Sequence, residues 1–133
     1  MLLDTTVLIE VLRDRDAAGR LRELRATEPP PLVCAVNVEE VWRGARAGEA
    51  EAIRRLLSAL RTVPLTAREG ELAGIWRRDF AARGETLSQA DCLVAAAAFS
   101  AGARLATGNP KDFPMPGLEV EHWVAGPAGS YRE

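Results

Sequence analysis

The chain carries one histidine, one lysine and two cysteines in 133 residues. Each scarcity removes a class of chemistry. With His122 alone, a histidine-based zinc site or a Ser-His triad lacks its parts. His122 lies in the alternating stretch Leu118-Glu119-Val120-Glu121-His122-Trp123-Val124, which predicts an edge strand. Cys34 and Cys92 fall inside apolar segments, with no second cysteine or histidine at metal-ligand spacing, so both are expected to be buried free thiols. Long hydrophobic runs are missing too. The longest, Cys92 to Phe99, is far short of the ~20 residues that span a bilayer. No basic segment followed by a cleavable apolar stretch opens the chain. The expectation is a cytoplasmic protein without membrane association.

Positive charge is present almost entirely as arginine, which makes up 16 of the 17 basic residues against 19 acids, for a net charge of -2. That balance argues against a protein that binds nucleic acid mainly by counterion release. Binding through a metal stays open, because part of the negative charge would then be the ligand set itself. The arginine excess is read as a trace of a GC-rich genome before it is read as phosphate recognition.

With 47% hydrophobic and 27% charged residues, the chain has the composition of a globular domain able to bury roughly two-thirds of its unfolded surface. No internal repeat or linker divides it. A single domain over residues 1–125 is expected, followed by a flexible tail over 126–133.

The periodicities alternate between strand and helix. Leu2-Leu3 reads as a first strand, Thr6 to Arg13 as a short helix, and Asp16 to Arg25 as a second, stopped by Pro29-Pro30-Pro31. Leu32 to Val36 reads as a strand, and Val38 to Ala47 as a helix opened by Asn37 and ended near Gly48. Glu49 to Leu60 repeats Ile53, Leu56, Leu57 and Leu60 at helical spacing. Thr62 to Leu65 is a short strand that Pro64 places at an edge. Ala67 to Arg83 is a helix with Leu72, Ile75, Trp76 and Phe80 inward, and the nearly all-apolar Ser88 to Ala101 is a buried helix. Ala103 to Ala106 and Leu118 to Val124 supply the last strands. Strands alternating with helices imply an α/β fold with a mostly parallel sheet covered on both faces.

Four acids stand where strands hand over to helices or loops: Asp4, Glu40, Asp91 and Asp112. In open parallel sheets these handovers converge outside the carboxyl ends of the strands, where ligands bind. Each acid also has a local explanation. Asn37-Val38-Glu39-Glu40 and Ser88-Gln89-Ala90-Asp91 match the capping box. Asn109-Pro110-Lys111-Asp112 matches a turn anchored by Phe113 and Pro114. For Asp4 the local explanation is weaker: no helix-length pattern precedes it, and an acid straight after an apolar strand otherwise faces costly burial. Four carboxylates gathered together would repel one another unless a cation sat among them. Hard oxygen ligands suit magnesium or manganese, and such a cation favours phosphodiester hydrolysis.

The same residues carry a resemblance. Leu2-Leu3-Asp4-Thr5-Thr6-Val7-Leu8-Ile9, Glu40-Val41-Trp42-Arg43-Gly44, Ala90-Asp91-Cys92-Leu93-Val94-Ala95-Ala96-Ala97 and Thr107-Gly108-Asn109-Pro110-Lys111-Asp112-Phe113 resemble, in order and spacing, the motifs of VapC-type toxins of the PIN-domain ribonuclease family. The resemblance implies a three-layer α/β/α fold, a magnesium-dependent endoribonuclease acting on RNA, and a small VapB-type antitoxin as partner. By motif matching, Asp4, Glu40 and Asp91 are the core acids, with Asp4 and Asp91 as direct metal ligands. Glu40 is a ligand or a general base. Family members often place an aspartate where Asn109 stands; here the acid is at Asp112, so either residue fills the fourth position. Thr5, Thr6, Asn109 and Thr107 are expected to position ligands, water or substrate. Asn37 stands where a threonine usually precedes the glutamate. A homodimer is expected, and Glu49 to Leu60, with Arg54 and Arg55, is either a partner surface or an ordinary packing helix.

Two other readings compete. A haloacid-dehalogenase-type phosphatase needs a second aspartate two residues after the first, where this chain has Thr6. A non-catalytic PIN-like RNA-binding module is expected to lack a core acid, and none is missing here.

Overall fold

The computed structural model describes residues 1–13, 15–27 and 29–124, without the side chains of 15–17 and 27. The expected tail at 126–133 lies outside the described residues. In chain order the elements are β1 (Leu2–Leu3), α1 (Thr5–Arg13), α2 (Arg15–Thr27), β2 (Leu32–Cys34), α3 (Ala35–Arg43), α4 (Ala50–Ser58), β3 (Arg61–Val63), α5 (Ala67–Ala82), α6 (Gln89–Ser100), β4 (Leu105–Thr107) and β5 (Val120–His122). The strands form one sheet in the order β3-β2-β1-β4-β5, and every pairing is parallel. The strands expected at edges, β3 and β5, are at the edges.

Side chains alternate along each strand, so neighbouring residues feed opposite layers. Leu2, Cys34 and Leu105 join a core with α5 and α6, which contribute Trp76, Phe80, Val94 and Ala95 to Ala98. Leu3, Val33 and Ala106 join a second core with Val7 and Leu8 of α1, Leu21 of α2, Val41 of α3 and Ile53 of α4. The result is the expected three-layer α/β/α sandwich. Leu2, Leu3 and Leu105 are fully buried, and burying each such side chain contributes about 1.5–3 kcal/mol.

The expected passage from β2 into α3 needs correction. Helix α3 starts at Ala35, not Val38, and stops at Arg43 with Gly44 as its cap, not near Gly48. Strand β2 is correspondingly shorter, ending at Cys34. The reason is local: Cys34 is extended (φ -122°, ψ 171°) and its N–H donates to Asn37 Oδ1 at 3.0 Å. The box therefore closes over residues 34–37 instead of 37–40. Asn37 is the third residue of the helix, not its cap, and Glu40 sits a turn further in.

The apolar stripe of α4 is also committed. Ile53 is fully buried and Leu56, Leu57 and Leu60 pack on the same core, as an ordinary packing helix requires. On α5, Ile75 is 38% exposed and Ala73 takes the inward position instead. No described helix is long and apolar enough to cross a membrane.

Candidate metal centre

Asp4 follows β1 directly, and its backbone is fixed from two sides. Its N–H donates to Ala106 O at 2.9 Å, extending the ladder to β4, while its carbonyl accepts from Val7 and Leu8 at 3.0 and 3.2 Å to open α1. The residue is 6% exposed. Thr107 and Thr6 both donate hydroxyls to Asp4 Oδ2, at 2.8 and 3.2 Å. Gly108 N–H donates to Thr6 Oγ1 at 2.9 Å, and Asn109 N–H to Thr107 Oγ1 at 3.1 Å. The loop after β4 is thereby stitched to the carboxylate at the end of β1. Burial pushes the Asp4 carboxyl above its ordinary value; hydrogen bonds from Thr107, the Thr5 N–H and Thr6 pull against it, and the Glu40 charge adds to the rise.

Glu40 projects from α3 toward the same place. Thr5 donates its hydroxyl to Glu40 Oε1 at 2.6 Å, and Asn37 Nδ2 donates to Thr5 Oγ1 at 3.2 Å. Asp91 is the third residue of α6, whose cap Ser88 accepts the Asp91 N–H at 3.0 Å. Its carboxyl is also raised, first by burial and then by the charges of Asp4, Asp112 and Glu40, against a hydrogen bond with Ser88. Asp112 closes a single 3-10 turn (Pro110–Asp112) and is exposed. Phe113 and Met115 anchor that turn in the core at 4% and 3% exposure, whereas Pro114, expected to share the task, is exposed.

One cleft of about 270 Å³ is lined by Asp4, Thr5, Thr6, Ile9, Glu40, Arg43, Gly44, Asp91, Asn109 and Asp112. All four acids face it, with Asn109 beside Asp112. Thr107 is fully buried outside the lining, so its hydroxyl serves Asp4 and is closed to substrate. A larger hollow of about 340 Å³ between the starts of α3 and α6 is lined by Ala35, Val36, Glu39, Gln89, Ala90 and Leu93. It gathers no set of acids.

Among the described residues, no three acids close into a tight metal cage. That openness and the shared cleft are compatible. Magnesium keeps several of its waters, and these span wider gaps between ligands. The donor set consists of hard oxygens, with Asp4 buried and oriented at its base. Such a set suits a hard divalent cation.

Sequence reasoning gave no site role to two residues. Arg43 supplies the basic side chain among the residues lining the cleft, and Asn37, fully buried behind the lining, donates to its Thr5. Both lie three residues from Glu40, which puts them on its face of the helix. That spacing was the available signal. His122 is exposed on β5 and takes no part in the cleft, and both cysteines are free and buried as expected.

Comparison with known proteins agrees with the motifs. The PIN domain family profile matches residues 1–114. Ribonuclease VapC10 of Mycobacterium tuberculosis is 31% identical over 115 residues, 86% of either chain. VapBC2 from Rickettsia felis, solved bound to a DNA fragment from its promoter, superposes with a TM-score of 0.78 at 22% identity, covering 92% of this chain and 97% of that one. A toxin-antitoxin complex from Klebsiella pneumoniae gives 0.72 at 26% identity, covering 88% and 93%. The profile match places Asp4, Glu40, Asp91 and Asp112 inside the matched span, and the chain belongs to the PIN domain family.

Proposed function

We propose that the protein is a divalent-metal-dependent endoribonuclease and the toxin of a toxin-antitoxin pair. The observation that carries this reading is the convergence of Asp4, Glu40, Asp91 and Asp112, from four distant chain positions, on one cleft. A relative named as a ribonuclease and a structural neighbour that is a toxin-antitoxin complex support it.

Asp4, Asp91 and Glu40 would hold the cation, with Asp112 and Asn109 lining the same cleft as the candidates for the fourth position. When bound, magnesium or manganese supplies an acidified water and offsets the charge of the scissile phosphate. Glu40, with Oε1 held by Thr5, would turn its other oxygen to the cleft, where it would complete the ligand set and take the proton of the attacking water. Arg43 at the rim pairs with a substrate phosphate. The same acids explain regulation. A small VapB-type antitoxin would silence the site by laying an arginine across the carboxylates, and two copies of the chain would pair as a homodimer.

Purified protein should cleave mixed cellular RNA with magnesium and stop with chelator, and Asp4→Asn should be inactive. Equal cleavage by Asp4→Asn, or cleavage indifferent to chelator, would overturn the assignment.

A further inference from the structure

Asn37 is fully buried in the first turn of α3, where asparagine has a poor intrinsic preference for helix. A buried amide is costly unless it is hydrogen-bonded, and this one is bonded at both ends. Its Oδ1 accepts the Cys34 N–H at 3.0 Å and lies 3.3 Å from the Cys34 thiol, a second donor. Those two donors fix which end of the amide is oxygen. Its Nδ2 must then face Thr5, and it donates to Thr5 Oγ1 at 3.2 Å. A hydroxyl has one hydrogen. With Asn37 donating to the Thr5 oxygen, that hydrogen is directed to Glu40 Oε1, 2.6 Å away.

The donors therefore run one way, from Cys34 through Asn37 and Thr5 to Glu40. We infer that Asn37 is a positioning residue for Glu40, acting through the Thr5 hydroxyl to hold one carboxylate oxygen as an acceptor while the other serves the cleft. This deepens the metal-site reading and rests on it. Partners that orient a ligand in this way are worth roughly 10- to 100-fold in metal affinity.

The test is calorimetric titration of Mn²⁺ alone into the wild type, Asn37→Leu, Thr5→Val and the double variant, with kcat and KM for RNA cleavage beside it. Each single change should weaken Mn²⁺ binding roughly 10- to 100-fold and lower kcat more than KM changes. Because both act through one hydroxyl, the double variant should be no worse than the poorer single. Thr5→Ser, which restores the hydroxyl, should recover most of the affinity lost in Thr5→Val. If Asn37→Leu loses its folded baseline in circular dichroism, Asn37→Ser takes its place, as it is polar but without a donor that reaches Thr5. Folded variants that bind Mn²⁺ like the wild type, or single effects that simply add, would overturn the inference. A wild type that neither binds Mn²⁺ nor cleaves RNA would instead overturn the metal-site reading beneath it.

Discussion

Helices α5 and α6 begin with the same signature, Thr66-x-x-Glu69 and Ser88-x-x-Asp91, and the two acids meet opposite electrostatic fates. Glu69 accepts the Thr66 N–H and hydroxyl at 2.7 and 2.6 Å, with a further hydrogen bond from Ser100, and its carboxyl falls from 4.5 to about 2. Asp91 keeps only its hydrogen bond with Ser88 in opposition to burial and the charges of Asp4, Asp112 and Glu40, and its carboxyl rises. One acid is surrounded by donors from its own cap. The other faces three carboxylates across a cleft. A capping box in sequence therefore says where an acid sits, and only its neighbours say whether it caps or binds.

Replacing the two acids should pull stability and function apart. Asp91→Asn should reduce magnesium-dependent RNA cleavage by at least roughly 100-fold, the upper range for partners that merely orient a ligand. Its metal-free melting temperature should rise, because the substitution removes a charge that burial and three like charges disfavour. Asp112→Asn should cost less than roughly 10-fold in cleavage, since an exposed residue on a turn acts through water. Glu69→Gln should leave cleavage unchanged and lower the melting temperature by a few degrees, through loss of the box at the start of α5.

The pH profile of the metal-free protein sharpens the contrast. Glu69 titrates lower when folded, so its contribution is complete above 4.5 and is lost as pH falls toward about 2. Asp4 and Asp91 titrate higher when folded. Their contribution is complete below the ordinary 3.8 and is lost as pH rises through their raised values. Melting temperature should pass through a maximum between these limbs. Asp91→Asn should flatten the alkaline limb and Glu69→Gln the acidic one, in thermal scans with chelator present.

The order of elements was legible because strand alternation and helical stripes are local signals, and Leu2-Leu3 or Ile53-Leu56-Leu57-Leu60 fall where the pattern put them. The convergence of the four acids on one cleft was legible for a different reason: Asp4, Glu40 and Asp112 each stand in the sequence close after a strand, Asp91 stands in the first turn of a helix, and the strands of a parallel sheet all deliver their chain ends to the same side. The start of α3 was not. An asparagine before an apolar run reads as a cap, but Cys34 is already extended and buried, so tertiary packing moved the helix start three residues upstream. Asn37 consequently read as a cap although its amide faces Thr5. Arg43 was obscured by the general excess of arginine, and among the described residues its place in the cleft lining is what sets it apart.

The central claim is that Asp91 belongs to a cation site and Glu69 to a helix cap. Calorimetric titration of Mn²⁺ into the wild type, Glu69→Gln and Asp91→Asn tests it most directly. The wild type and Glu69→Gln should bind alike, and Asp91→Asn should show no saturable binding in the same range. Binding by Asp91→Asn as tight as that of the wild type would contradict the account.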